Sequence, residues 1–95
     1  MKQRFVILVD DATPEQQNAV TLYLKDKVGY WHHFSDAWLV TTVSEGWSVT
    51  KFRDELRNVV KGPGVLVLKI DSPKGWAAFG AKGVFAWLHS TWSTE

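Results

Sequence analysis

Two uninterrupted runs of apolar residues constrain the fold of this chain more than any other feature. Residues 5–9 (FVILV) form the first run, and residues 65–70 (VLVLKI) form the second, which only Lys69 interrupts. Short, partly β-branched runs that end at turn-forming residues are typical of buried strands. A strand with one face in water would alternate apolar and polar residues instead. Both runs therefore predict strands of a sheet that is covered on both faces.

Helix signals follow the first run directly. Thr13 can cap a helix, and Pro14 suits the first helical position. Gln16 stands three residues after Thr13, so the two side chains can form a capping box. We expect this first helix to end near Gly29, because glycine commonly follows the last helical turn.

The middle of the chain predicts a hairpin and a second helix. Residues 30–34 and 37–43 favour two strands, with residues 35–36 (SD) as the turn between them. Ser48 can cap a helix with one apolar face, and residues 61–64 (KGPG) would end it.

The predicted order is strand, helix, strand, strand, helix, strand. Right-handed crossovers place both helices on one face of a four-stranded antiparallel sheet, which is the ferredoxin-like βαββαβ arrangement of the α+β class. We expect a single domain over residues 1–95, with the core in residues 1–70 and a C-terminal covering segment in residues 71–95. A short helix over residues 81–89 would make this segment a C-terminal helical tail.

The sheet face that points away from the helices needs a cover. The two candidates are the C-terminal segment and a second copy of the sheet. The chain also has six Trp, and Trp suits interfaces because it combines a large apolar body with one hydrogen-bond donor. We expect a homodimer to which the tail contributes. The predicted interface residues are Trp31, Trp38, Trp87 and Trp92.

Composition narrows the function classes. Eleven basic and ten acidic residues give a net charge of +1. This lacks the excess of Lys and Arg that marks nucleic-acid-binding proteins, although it is compatible with a local basic patch. The absence of cysteine excludes disulfides and thiolate metal sites. Because no apolar run is long enough for a signal-peptide core or a membrane span, we expect a cytoplasmic protein without membrane association.

Asp10 and Asp11 form the best-placed acidic pair, at the end of the first run. Carboxylates at the carboxyl end of a strand can hold Mg²⁺ through one or two oxygens and several waters. Strand ends also attract Asp for turn formation alone. Asp10 is therefore a candidate metal ligand and catalytic residue, with an ordinary polar turn as the alternative, and Mg²⁺ is the cofactor that this hypothesis requires.

Residues 30–34 (YWHHF) are the most unusual pentapeptide. In a strand, His32 and His33 point to opposite faces, so they cannot easily bind one metal ion together. Either could serve as acid–base partner to Asp10, because His titrates near neutral pH. The alternative is one His bonded to backbone and the other at the rim of the sheet, and the hairpin register decides between the two faces.

The predicted second helix carries a basic stripe that could meet phosphates. Its members, as a candidate nucleic-acid-binding set, are Lys51, Arg53, Arg57 and Lys61. Asp54 and Glu55 interrupt the stripe, and an ordinary solvated helix face has the same pattern. Trp47 precedes this helix, where it could pack on the first turn or stack on a nucleic-acid base.

Several segments resemble small bacterial proteins of the SinR family. Residues 29–40 (GYWHHFSDAWLV) resemble a segment in which a Trp-His-His run precedes a strand that opens with Trp. Residues 52–57 (FRDELR) resemble the second helix of that family, and later features follow in the same order. The likeness spans residues 6–88.

The SinR family is similar in fold to the CRISPR-associated adaptation nucleases, which are ferredoxin-like homodimers. This resemblance implies a dimer with a metal-holding Asp at its interface, and Asp10 occupies the matching position. Val9 departs from the pattern, since those nucleases commonly have Tyr before that Asp, and they are often more basic.

Three functions fit these features. The first is a dimeric, non-catalytic module that binds nucleic acid or protein in a defence or mobile-element setting. The second is a metal-dependent nuclease that uses Asp10 with His32 or His33. The third is a protein-binding inhibitor or adaptor with a Trp-rich surface. The resemblance and the near-neutral charge favour the first.

Overall fold

The computed structural model describes residues 2–94. Its elements, in chain order, are β1 (Gln3–Val9), α1 (Pro14–Leu24), β2 (Gly29–Phe34), β3 (Ala37–Thr42), α2 (Val49–Val60), β4 (Val65–Ile70) and a π-helix (Leu88–Trp92). The strands form one antiparallel sheet in the order β2-β3-β1-β4. This confirms the predicted α+β class with a four-stranded antiparallel sheet and two main helices. Across residues 2–94, no helix has the length and apolar character needed to cross a membrane.

Both main helices begin where the capping signals place them. The Thr13 hydroxyl accepts a hydrogen bond from the Gln16 amide at 3.1 Å, and the Gln16 side chain accepts one from the Thr13 amide at 2.9 Å. Ser48 caps α2 by accepting from a backbone amide. The first helix ends at Leu24, before the Gly29 that we expected, because the chain turns at Asp26 with a φ of 66°.

The main core lies between one face of the sheet and both helices. Side chains from β1 and β3 pack against side chains from α1 and α2, and all of them are buried. These residues are Phe5, Ile7, Val9, Val20, Leu24, Trp38, Val40, Phe52, Leu56 and Val60. The indole N–H of Trp38 donates to the Thr21 hydroxyl at 3.1 Å, so the largest side chain of this core also has its donor satisfied.

The C-terminal segment lies across the other face of the sheet. Trp31, Leu88 and Trp92 form a second buried cluster, which packs against Val6 and Leu39 from the sheet. The helical backbone of this segment begins later than expected. Residues 81–85 form turns, in which Gly83 has a φ of 87°, and helical structure starts only at residue 86.

Two N-terminal cations attach the C-terminal segment to β1. The Arg4 guanidinium is buried and donates to the backbone oxygens of Trp92 and Thr94. The Lys2 ammonium donates to the backbone oxygen of Thr91 at 2.6 Å. Carbonyl groups at the end of a helix lack partners within the helix and carry partial negative charge, so cations are favourable there.

We predict that Arg4→Met weakens the docking of the C-terminal segment. The change keeps the length of the side chain but leaves buried carbonyls without a charged donor, which costs about 1.5–3 kcal/mol. Hydrogen exchange should show faster amide exchange in residues 86–94, and Lys69→Met, at an exposed position on β4, is the matched control. Unchanged protection of residues 86–94 in Arg4→Met would contradict this role.

A second prediction concerns the hydrogen bond that joins α1 to α2. The Tyr23 hydroxyl donates to the Glu55 carboxylate. Burial, followed by the hydrogen bond to Glu55 and its charge, raises the pKa of Tyr23 above the ordinary value of 10.0. The neutral form is therefore favoured in the folded state, so this stabilisation is complete below pH 10.0 and is lost as the pH rises further.

Tyr23→Phe should lower the free energy of unfolding by about 1 kcal/mol at pH 7. It should also make stability fall less steeply above pH 10 than in the unchanged protein. Urea unfolding between pH 7 and pH 11 measures both effects, with Tyr30→Phe as the control. An identical pH dependence in Tyr23→Phe and the unchanged protein would show that the hydrogen bond has no such role.

Candidate binding surface on the second sheet face

The C-terminal segment leaves part of the second sheet face uncovered. Leu8 lies between Ala37 of β3 and Leu66 of β4, so these three residues form one row across the sheet. In the next row, Val6 lies beside Leu68. The segment packs on Val6, but Leu66 stays 53% exposed and Leu68 stays 44% exposed.

Phe34 extends this surface at the end of β2 and is 50% exposed. We call the set Phe34, Ala37, Leu8, Leu66 and Leu68 the apolar strip. The strip ends at β4, which is an edge strand because it pairs with β1 alone. Strand edges with exposed apolar side chains favour association with another chain.

A groove with a volume of about 470 Å³ lies beside the apolar strip, between the hairpin and the C-terminal segment. We call it the aromatic groove. Its walls carry no Asp, Glu, Lys or Arg. They are formed by Trp31, Phe34, Ala37, Leu39, Trp76, Ala77, Ala78, Phe79, Phe85 and Leu88. Phe34 and Ala37 belong to the strip as well, so the two surfaces are continuous.

The rings in the aromatic groove are held in fixed positions. The Trp31 ring meets Phe34 edge-to-face at a centroid distance of 5.0 Å and stacks with Phe85 at 5.9 Å. The indole N–H of Trp31 donates to the Val84 carbonyl at 2.8 Å, and that of Trp76 donates to the Ser93 hydroxyl at 2.8 Å. Because both donors are used inside the chain, the groove offers apolar ring surface to a ligand.

Asp10 lies beside the middle of the apolar strip, in a groove that Leu8 and Leu66 also line. It follows β1 on an exposed turn, and its amide donates to the Gly64 carbonyl at 2.9 Å. Asp36, in the hairpin turn, accepts from the Val9 amide through its carbonyl at 2.9 Å. Asp10 and Asp36 line one shallow groove together with Leu66. Asp36 is not marked by the sequence as a site residue, because only the pairing of β3 with β1 brings it to the end of β1.

The two histidines lie within a bulge of the hairpin, and their rings point to opposite faces of the sheet. The β2–β3 register shifts between Trp31 and Phe34. His32 stacks on the buried Trp38 with ring centroids 4.1 Å apart, and its Nδ1 lies 3.0 Å from the Ala37 carbonyl oxygen. His33 is exposed, and its ring centroid is 5.3 Å from that of Trp31. His32 is thus next to a backbone carbonyl, and His33 lies at the rim of the sheet.

The structure does not bring the predicted acidic and histidine residues together as one metal centre. Within residues 2–94, no group of three or more His, Asp or Glu side chains could hold a metal ion. Asp10 and Asp36 are two acidic residues that line one groove.

The basic stripe on α2 is partly neutralised by its acidic neighbours. Lys51 lies 3.5 Å from the Glu55 carboxylate, and Arg53 lies 2.8 Å from that of Asp54. The other two members, Arg57 and Lys61, are exposed. In front of the helix, Trp47 stacks on Phe52 at a centroid distance of 4.7 Å, so it packs on the first turns of α2.

The predicted interface tryptophans occupy mostly internal positions. Trp38 lies under the helices, Trp31 lies beneath the C-terminal segment, and Trp92 is a buried residue of that segment. Trp38 and Trp92 are covered within the chain, whereas Trp31, although only 5% exposed, forms part of the wall of the aromatic groove. Trp87 is half-buried. The exposed aromatic residues on this side are Phe34 and Phe79, and the second of these is 99% exposed.

No protein-family model matches this chain, and no match is found among curated proteins or solved structures.

Proposed function

We propose that this chain is a non-catalytic binding module that works as a homodimer, with the apolar strip as the contact between the two copies. The observation that carries this proposal is the exposure of Leu66 and Leu68 on an edge strand. Contiguous exposed apolar surface of this kind marks interaction sites on soluble proteins. A second copy would cover the part of the sheet face that the C-terminal segment leaves open.

The architecture supports the same proposal. The strand order β2-β3-β1-β4, with both helices packed on one face, supports a ferredoxin-like arrangement. The resemblance of residues 29–40 to SinR-family proteins, which are similar in fold to the adaptation nucleases, would imply a homodimer with Asp10 at its interface. Asp10 and Leu66 line the same shallow groove, which supports placing the apolar strip at that interface.

We further propose that the ligand of the dimer is a protein rather than a nucleic acid. Two of the four cations on α2 face a carboxylate within the chain, and the net charge is only +1. Phosphate-binding surfaces need unmatched Lys and Arg. Titration with single-stranded and double-stranded DNA and RNA tests this step, and binding that weakens steeply with salt would contradict it.

We predict that the double change Leu66→Ser and Leu68→Ser gives a monomer. The unchanged protein should sediment at micromolar concentration with twice the mass of one chain, whereas the double variant should sediment with the mass of one. The reason is that two exposed apolar side chains would be lost from each side of the interface.

The matched control for this experiment is Leu22→Ser, at an exposed leucine of α1 that lies outside the apolar strip. Leu22→Ser should remain a dimer, and far-ultraviolet circular dichroism should show that all three proteins are folded. A single-chain mass for the unchanged protein would overturn the proposed homodimer.

Metal-dependent nuclease activity is the second candidate function. One observation favours it: Asp10 and Asp36 line one groove. Protein sites commonly hold Mg²⁺ through one or two carboxylates and keep several waters. A bound Mg²⁺ would supply Lewis-acid chemistry at a phosphate, and the two carboxylates would position it.

If this second function holds, the unchanged protein should cleave RNA or DNA in the presence of Mg²⁺ or Mn²⁺. Asp10→Asn should then reduce the rate at least about a hundredfold, because it removes a charged metal ligand. Asp26→Asn changes an exposed Asp in the turn after α1 and serves as the control. No cleavage by the unchanged protein with either metal ion would exclude the candidate.

A further inference from the structure

We infer that Phe79 is the anchor of the homodimer: its ring inserts into the aromatic groove of the second copy, while the second copy's Phe79 inserts into the first. This inference rests on the proposed homodimer and names the residue that holds it together. The apolar strip then forms the rest of the same contact.

Phe79 is presented to solvent at the rim of the aromatic groove. It is 99% exposed, far more than any other large aromatic side chain on this face. The backbone beside it is held close to the groove wall, since a Cβ added at Gly80 would lie 3.0 Å from the Phe85 ring. Exposure of a whole phenyl ring is unfavourable in water, so burial of Phe79 against a partner provides a strong driving force.

The aromatic groove suits a phenyl ring. An incoming ring would meet Trp31, Phe34 and Phe85, whose centroids lie 5.0–6.2 Å from one another. Edge-to-face and offset contacts between aromatic rings stabilise an interface beyond the area they bury. The walls carry no charged side chain, so they offer no counter-charge to a charged segment and favour an uncharged aromatic occupant.

A second copy of this chain is the occupant that the geometry favours. Phe79 and the groove are neighbours on one molecule, so a two-fold axis between them makes both insertions at once and closes the assembly as a dimer. Two inserted Phe side chains bury roughly 300–500 Å², at about 150–250 Å² each. That is about a quarter of a standard interface of about 1,600 Å². The apolar strip adds to this area because it shares Phe34 and Ala37 with the groove.

The first test is Phe79→Ser, measured by sedimentation equilibrium. We expect the dimer dissociation constant to rise at least about thirtyfold, which is the loss associated with a central aromatic residue of an interface. The fold should be unaffected, because the Phe79 side chain is almost fully in water. Val43→Ser is the matched control, since Val43 is 76% exposed in the loop after β3 and lies outside the groove. Its dissociation constant should stay unchanged.

The second test locates the contact by disulfide formation, which is simple here because the chain has no cysteine. Ala78→Cys protein is mixed with Ala37→Cys protein under mild oxidation, so Phe79 is retained in both. Both positions line the groove, and we expect a mixed covalent dimer. The control is Ala78→Cys protein mixed with Asn58→Cys protein, in which the second thiol lies on the exposed side of α2. This mixture should give at least about tenfold less covalent dimer, because distant thiols cannot form a disulfide.

The outcomes separate this inference from the proposal beneath it. Suppose that Phe79→Ser has the same dimer dissociation constant as the unchanged protein, while the double change of Leu66 and Leu68 gives a monomer. The role of Phe79 as anchor is then refuted, and the proposed homodimer is retained. A mixed disulfide no more abundant than the Asn58 control also refutes the anchor. If the unchanged protein sediments with the mass of one chain, both the homodimer and the Phe79 anchor are overturned.

Discussion

A sheet that is apolar on both faces is stable in water only if other parts of the protein cover both faces. The arrangement of the helices and of the C-terminal segment follows from this requirement. The two helices bury the side chains that β1 and β3 present on one face. The other face is covered by a segment with only a short regular helix, which must be attached by specific contacts. Arg4 and Lys2 provide them by donating to carbonyls near the end of the π-helix, while Trp31 and Trp92 supply the apolar contact. Opening these contacts would expose the face again.

Local signals in the sequence were sufficient for the helices and strands. Thr13, Gln16 and Ser48 form the caps that their spacing predicts, because a capping bond joins residues only three positions apart. The end of α1 was wrong because Gly29 was taken as the stop, whereas Asp26 already adopts a left-handed conformation. Either residue could end the helix, and only the packing of the following strand decides which one does.

The candidate site was less predictable because it depends on contacts between distant residues. The sequence marks Asp10, but its neighbour Asp36 enters the same groove only through the pairing of β3 with β1. The bulge in β2 decides that His32 stacks on Trp38 while His33 stays exposed, and no local pattern announces a bulge at that position. The exposure of Phe79 depends on the path of a segment without regular secondary structure, which hydrophobic periodicity cannot describe.

The abundance of Trp has a structural reason within one chain. A chain of 95 residues has little material with which to cover two sheet faces, so large side chains are needed at the points where layers meet. The indole donor of Trp31 bonds to the C-terminal segment and that of Trp38 bonds to α1, so these two bonds join layers of the chain. The indole donor of Trp76 bonds to Ser93 and fixes the path of the C-terminal segment itself. The surface left for a partner combines the rings of Trp31 and Trp76, whose donors are already used within the chain, with Phe and Leu side chains that carry no donor.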